Sequence, residues 1–327
     1  MPLWQRLTVG AVGAAFPDVD FVVSLYSPLS YLMHHRGATH SILLLPVWAW
    51  LLAWIAARAF RNPRGWRAYY AISAMSVGLH ILGDLITSFG TIVFAPFSDA
   101  RFEWGTTFII DLWFSGIIIA GLLGTWAWRR SRAPAVAGCA LLVAYILFQA
   151  WQKNEAIAIG RDFASRSGIA GAEVTALPRA ASPYHWTAIV GDAAGYRYAN
   201  IHVGASDAPP PAGEDAGLIA LVRAQFQPRD LATWQSATRF GTTPDDRKLA
   251  EEAWRSDVFE FYRWFSQYPA FLGIERAQGT TCVWFRDLRF DSTGVRREDP
   301  FRMGVCREVN APWRLHRLTA AGRVPFH

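Results

Sequence analysis

The chain has 327 residues, is 52% hydrophobic and 14% aromatic, and carries a net charge of +6, nearly all of it from arginine. That length suits one large or two ordinary domains, and an 18% charged fraction excludes a chain made only of membrane spans. Several arginines sit in short loops between apolar runs, which disfavours the nucleic-acid binding that a basic balance would otherwise suggest.

The first apolar stretch, LWQRLTVGAVGAAF over 3–16, is shorter than the ~20 residues of a full span. No convincing small-x-small cleavage site of a signal peptide precedes a mature domain, Pro17-Asp18 following at once, and the stretch reads as a truncated or tilted first helix. A polar island follows, with Asp18, Asp20, His34, His35, Arg36, Thr39 and His40 inside residues 17–41. Apolar runs then recur at His40–Ala57, Tyr69–Ile86, Phe108–Trp128 and Ala135–Trp151. Together they predict an α-helical membrane domain over residues 1–152, with four to five transmembrane helices. Tryptophans near several run ends fit an aromatic belt. Arg58, Arg61, Arg64 and Arg67 lie between the first two clear runs, and Arg129, Arg130 and Arg132 between the last two. The positive-inside rule makes both loops cytoplasmic. Segment 17–39, loop 87–107 and the rest of the chain then face the outer side.

Residues 153–327 read as a soluble α+β domain outside the cytoplasm. YHWTAIVGDAAGYRYANIHV (184–203) alternates around glycines like a β-hairpin, and 280–290 and 302–309 read as strands. Residues 214–238 and 244–268 look like amphipathic helices, the second opening on Thr243-Pro244-Asp245-Asp246. Cys282 and Cys306 either pair, if this domain faces an oxidising compartment, or remain two buried thiols. Cys139, inside an apolar helix, reads as a small core residue. His185, His202, His316 and His327 are scattered and suggest no site.

Ionisable residues within apolar runs are expensive to bury and therefore informative. His80 and Asp84 are four apart, on one helix face. At 1.5 Å per residue, Asp84 stands roughly 26 Å above Arg67, with Asp111 and His40 roughly 27 Å above Arg129 and Arg58. Asp18 and Asp20 follow the first apolar stretch at the same boundary. The expected metal ligands are Asp18, Asp20, His35, His40, His80, Asp84 and Asp111, an oxygen and nitrogen set without thiolate. Such a set suits Zn, with Mn or Fe as alternatives, and one or two ions. Arg36, flanked by His35 and Gly37, is placed to hold an anionic group, and Thr39 to cap a helix starting at His40, with Gly37 allowing a tight turn; Arg36, Asp20 and Thr39 are the expected catalytic residues. His34 reads as an interfacial side chain.

PDVD (17–20), HRGATHS (35–41), HILGDLITSFG (80–90), APF (95–97) and FEWGTTFIIDLWF (102–114) resemble the bacterial membrane-bound, predicted metal-dependent hydrolases. That family is also described as LexA-binding, inner-membrane-associated hydrolases. The resemblance covers about the first 115 residues and implies an inner-membrane, metal-dependent hydrolase. Its HxxxD arrangement looks like that of zinc-dependent phospholipases C, which implies phosphoester chemistry by analogy. Members usually open with a Thr-His pair on the first helix, and residues 3–16 hold no histidine. The leading expectation is hydrolysis of a phospholipid or lipid-linked phosphoester at the outer surface, with membrane lipid as partner and no nucleic acid. The alternatives are an ion or proton-coupled transporter and a non-catalytic, metal-stabilised scaffold.

Overall fold

The structure, a computed structural model, describes residues 1–211, 213, 217–291 and 301–326. They form two compact units, Met1–Gly105 and Thr106–Phe326. The unit boundary precedes the loss of apolar character near residue 152, because the last two apolar helices pair with each other inside the second unit.

In the first unit, α1 (Leu3–Ala15) leads into a 3-10 segment at Pro17–Leu25. Then come α2 (Pro28–His34), α3 (Leu45–Ala59) and α4 (Tyr70–Leu85). Small residues let these helices approach. Gly13 meets Ser76 so closely that a Cβ there would fall 2.1 Å from the Ser76 hydroxyl. Val9, Ala53, Ala56, Ala57 and Tyr69 form one buried cluster, and Leu52, Val77, Ile81 and Val93 a second. The Tyr69 hydroxyl donates to Gln5 at 2.9 Å and ties α4 to α1.

The expectation of four to five transmembrane helices is not supported. Helices α1, α3, α4 and α5 (Leu112–Ala127) run 13 to 16 residues. At 1.5 Å per residue that is about 20–24 Å, against a hydrocarbon core of about 30 Å. Among the described helices, only α6 (Ala133–Arg166, 34 residues) is long and apolar enough to cross a membrane. The number rises to three if each of two bent pairs counts as one span, namely Leu3–Ala15 with Pro17–Leu25 and Pro28–His40 with Leu45–Ala59. Apolar runs overstate helix length here because their ends are used for other geometry. Ser41 accepts from the amides of Leu43 and Leu44, so residues 41–44 form a turn and α3 starts only at Leu45. Asp111 caps α5, which leaves Phe108–Ile110 outside it.

In the second unit α5 and α6 pack through Gly121 and Gly138, where a Cβ on either would lie 3.4 or 3.2 Å from the other's Cα. The boundary between membrane and soluble domain drawn at residue 152 from composition falls inside α6, which continues unbroken. Its C-terminal turns bury Ala156 and Ile159 against β1 (Glu173–Pro178), β2 (His185–Gly191) and β3 (Gly195–His202). With β4 (Gln235–Thr238) these strands make an antiparallel sheet in sequential order. After α7 (Leu218–Arg223), α8 (Pro244–Arg255) and α9 (Glu260–Phe265), β5–β9 form a five-stranded antiparallel meander. Its strands are Pro269–Ala277, Thr280–Asp287, Met303–Glu308, Arg314–Thr319 and Gly322–Pro325. The expected hairpin at 184–203 is β2–β3. The helix expected over 214–238 reduces to the six residues of α7, with 214–216 outside the described residues, and its last turn is the strand β4. The second expected helix breaks at Ser256 into α8 and α9. Cys282 and Cys306 face each other across β6 and β7 and are disulfide-bonded. His327 lies outside the described residues.

Two outcomes are expected. A Cβ at Gly160 of α6 would meet Val174 of β1 at 2.6 Å, so Gly160→Val should destabilise this domain by about 1–3 kcal/mol, read by thermal unfolding. His185 is buried and its ring stacks on Phe226 at 4.0 Å. Burial, which removes the solvation of the charged form, pushes its pKa down to about 4, opposed by the Ala180 carbonyl. A histidine held neutral in the fold contributes stability above pH ~6.5, which is lost as pH falls through about 4. The loss is about 3 kcal/mol at most, and a flatter stability profile for His185→Gln checks it.

Candidate metal centre

The polar island folds around Asp20. Its Oδ1 accepts from His35 Nδ1 at 3.0 Å, and its Oδ2 accepts from the Arg36 amide at 3.0 Å and the Thr39 hydroxyl at 3.2 Å. One carboxylate thereby fixes the path of residues 35–39. Arg36 sits at φ 59, a left-handed conformation costly for a side chain with a Cβ. It is held there by the Asp20 bond and by the Ile92 amide, which donates to the Arg36 carbonyl at 2.8 Å. Gly37 is needed for space, since a Cβ there would stand 2.7 Å from the His34 carbonyl oxygen. Loop 91–97 completes the bracket: the Ile42 amide donates to the Val93 carbonyl, and the Ser41 hydroxyl to the Ala95 carbonyl.

Thr39 does not cap a helix. Its hydroxyl donates to Asp20 and so accepts from His40 Nδ1, 3.0 Å away. His40 is fully buried, and this chain places its hydrogen on Nδ1. His80 Nδ1 donates to the Ala14 carbonyl of α1 at 2.6 Å. Both imidazoles therefore turn Nε2, with its lone pair, toward the same place.

Carboxylate oxygens meet them there. His40 Nε2 lies 2.9 Å from Asp84 Oδ2 and 3.7 Å from Asp18 Oδ1, and His80 Nε2 lies 3.5 Å from each of those oxygens. His40 Nε2, His80 Nε2 and Asp84 Oδ2 are all buried and make no hydrogen bond. The donor atoms of Asp18, His40, His80 and Asp84 lie within 4.8 Å of one another. Lone pairs facing carboxylate oxygens repel unless a cation sits between them, and unpaired buried polar atoms are costly. The donor set fits a divalent ion of the Zn, Mn or Fe type.

The remaining expected residues fall into place around this group. Arg36 is buried, and its guanidinium is committed to Asp84 Oδ1 at 2.9 Å and to the Thr87 hydroxyl at 2.9 Å, above the Phe89 ring at 4.9 Å. It orients Asp84 so that Oδ2 faces the histidines, and is not placed as a free anion clamp. His35 and Asp20 form a second possible group with Asp18. There the His35 Nδ1 is already bonded to Asp20, whose oxygens are spent on the backbone bracket, so both act in support. Asp111 is not gathered with the others. It belongs to the second unit, where it accepts from the Trp113 and Phe114 amides and, at 2.8 Å, from the Tyr145 hydroxyl. His34 is exposed and bonds the Ser30 carbonyl. The helical spacing that set Asp111 level with Asp84 carried no information about which helices pack together.

Residues 1–156 match the family model described as YdjM inner membrane protein. The N-terminal half thus carries the pattern of a bacterial inner-membrane family, which supports an inner-membrane location. The chain is also 28% identical over 138 residues to the uncharacterized protein YfhP of Bacillus subtilis (strain 168), a match covering 41% of this chain and 41% of that relative. The chain thus spans about two-fifths of the length of the curated relative it matches. No solved structure matches.

Sequence reading passed over Thr87, Phe89, Ser41 and the Ala14 carbonyl. The first three lie inside the motifs TSFG and HRGATHS, where their short spacing to the acids and histidines was the available signal. Ala14 acts through its backbone, which no side-chain pattern reveals. His80→Ala is expected to abolish stoichiometric metal binding by the purified protein, measured by elemental analysis. Asp20→Asn should weaken it about 10–100-fold, as removal of an orienting partner does, without abolishing it. Equal, full loading of both variants would exclude this centre.

Proposed function

We propose that the protein is an inner-membrane, metal-dependent hydrolase acting on a lipid or lipid-linked ester or phosphoester at the membrane–water boundary. The observation that carries this reading is the convergence of three buried, unpartnered atoms, His40 Nε2, His80 Nε2 and Asp84 Oδ2, on Asp18. The Asp18 side chain is 58% exposed while His40 is 0% exposed. Three donors are thus anchored in the protein and the fourth, Asp18, stands at the open side, where a water or a substrate oxygen could reach or replace it at the ion, which supports a catalytic reading over a closed structural one. Because Asp20 is consumed by the backbone bracket, the donor set favours one ion, with Zn first.

When bound, such an ion would lower the pKa of a water and polarise the oxygen of the scissile group. The chain's own residues prepare that chemistry. Asp20, through Thr39, holds His40 in the tautomer that presents Nε2. The Ala14 carbonyl does the same for His80. Arg36 offsets the charge of Asp84 and fixes which oxygen faces the site, so these are positioning residues. His35, aligned by Asp20 and stacked on Tyr31 at 4.6 Å, is the imidazole beside the group best placed to exchange a proton with the attacking water or the leaving oxygen.

The C-terminal domain is assigned to the periplasmic side. The Cys282–Cys306 bond supports this, since disulfides persist in oxidising compartments. Arg129, Arg130 and Arg132, just before the N-terminus of α6, support it as well through the positive-inside rule.

The Zn-loaded, purified protein is expected to hydrolyse at least one member of a panel of phosphomonoesters, phosphodiesters and carboxyl esters. Its kcat/KM should fall more than about a hundredfold in Asp84→Ala. A fully loaded protein inert across the panel, or an Asp84→Ala variant of undiminished activity, would sink the reading.

A further inference from the structure

The 3-10 segment that carries Asp18 and Asp20 has a second property that the metal centre does not use. It meets α1 at a 51° bend, directly before the two aspartates. Three residues per turn make side chains at i and i+3 eclipse in a 3-10 helix. Val19, Val22 and Leu25 therefore stand in one straight row, about 12 Å long at ~2.0 Å rise per residue. All three are exposed, at 50%, 60% and 82%. The adjacent row begins with Asp18 and continues with Phe21, itself 59% exposed. An exposed metal-site carboxylate thus stands one residue before the start of the apolar row, at the head of the row beside it.

The apolar surface continues beyond the row. Loop 91–97, hydrogen-bonded to residues 36–42 of the site, exposes Phe94 and Phe97. Helices α1 and α4 expose Leu7, Val12 and Leu79. A site that drew its substrate from water would be rimmed by polar side chains, because bare apolar area in water is costly. Here the segment that supplies the acids is apolar on its outward rows, and helices α1 and α4 of the same unit expose apolar side chains too.

We propose that this row is the substrate's chain-binding surface. The hydrocarbon chain of a single amphiphile lies along Val19, Val22 and Leu25, so that its ester or phosphoester headgroup reaches Asp18 from the lipid side. The inference rests on the hydrolase reading and narrows its substrate to amphiphiles carrying an alkyl or acyl chain. It makes Val19, Val22 and Leu25 specificity-determining residues that touch no reacting atom.

The test uses the full-length, Zn-loaded protein in mixed micelles and the triple variant Val19→Ser/Val22→Ser/Leu25→Ser. Met75→Ser, on the exposed face of α4, is the control. The readout is the ratio of kcat/KM for a long-chain phosphodiester to that for its short-chain, water-soluble homologue. The ratio is expected to favour the long chain in the wild type and to fall roughly tenfold or more in the triple variant, mainly through KM. Met75→Ser should leave it unchanged. A wild-type ratio near one, or a triple variant whose two activities fall in parallel, overturns the proposal. Binding of octylphosphonate against ethylphosphonate to the Zn-loaded protein supplies an arm independent of turnover. Preference for octyl in the wild type and its loss in the triple variant uphold the chain-binding row even where no substrate is cleaved. In that event the hydrolase reading alone fails. Equal binding of the two phosphonates rejects the row.

Discussion

The Asp20 carboxylate is the constraint on which the candidate centre depends. It accepts from a side chain, a backbone amide and a hydroxyl within residues 35–39. Those bonds hold Arg36 in a conformation that its side chain disfavours. Once the segment is set, Thr39 orients His40, and Arg36 reaches across to Asp84 on α4. A single buried acceptor therefore couples the 3-10 segment to residues 35–39 and, through Arg36, to Asp84 of α4. Removal of the charge would loosen the backbone path, a histidine tautomer and a carboxylate orientation together, since all are links of one hydrogen-bonded chain.

The same economy explains why helices in the first unit are short. Residues 41–44 are spent on a turn whose amides are satisfied by Ser41, and Ser41 in turn bonds the loop that closes over the site. Apolar residues there pack against the site's scaffold and do not lengthen a span. The first unit devotes its backbone to holding polar groups, and α6 provides the length needed to cross a bilayer. In the second unit that helix runs on into the sheet core through Ala156 and Ile159. The helix long and apolar enough to cross a membrane and the β-domain are thus one continuous piece of structure.

The apolar row and the carboxylates Asp18 and Asp20 are carried by one short segment, Pro17–Leu25. Asp18 and Asp20 sit at the start of the 3-10 turns, where the 51° bend turns the chain off the axis of α1. An α-helical continuation would spread Val19, Val22 and Leu25 around the axis by its 3.6-residue period. The tighter period aligns them instead. Local backbone geometry therefore decides both where the acids point and what kind of surface leads to them.

Much of the centre was legible from residue type and spacing. His80 and Asp84 share a face because they are four apart in a helix, and PDVD and HRGATHS concentrate acids and imidazoles that lipid would otherwise exclude. The β2–β3 hairpin, β6 and β7 followed from alternation and glycine turns, which are local. What sequence alone could not decide were matters of partner choice. Asp111 has the right residue type and the right height on its helix, yet its oxygens are taken by the start of α5 and by Tyr145. Asp20 and Arg36 look like ligand and anion clamp, but the tertiary structure turns both inward, to the backbone of 36 and to Asp84. Helix length was overread because hydropathy reports which residues avoid water, whereas the cap and turn bonds of Ser41 and Asp111 decide where hydrogen-bonded turns begin.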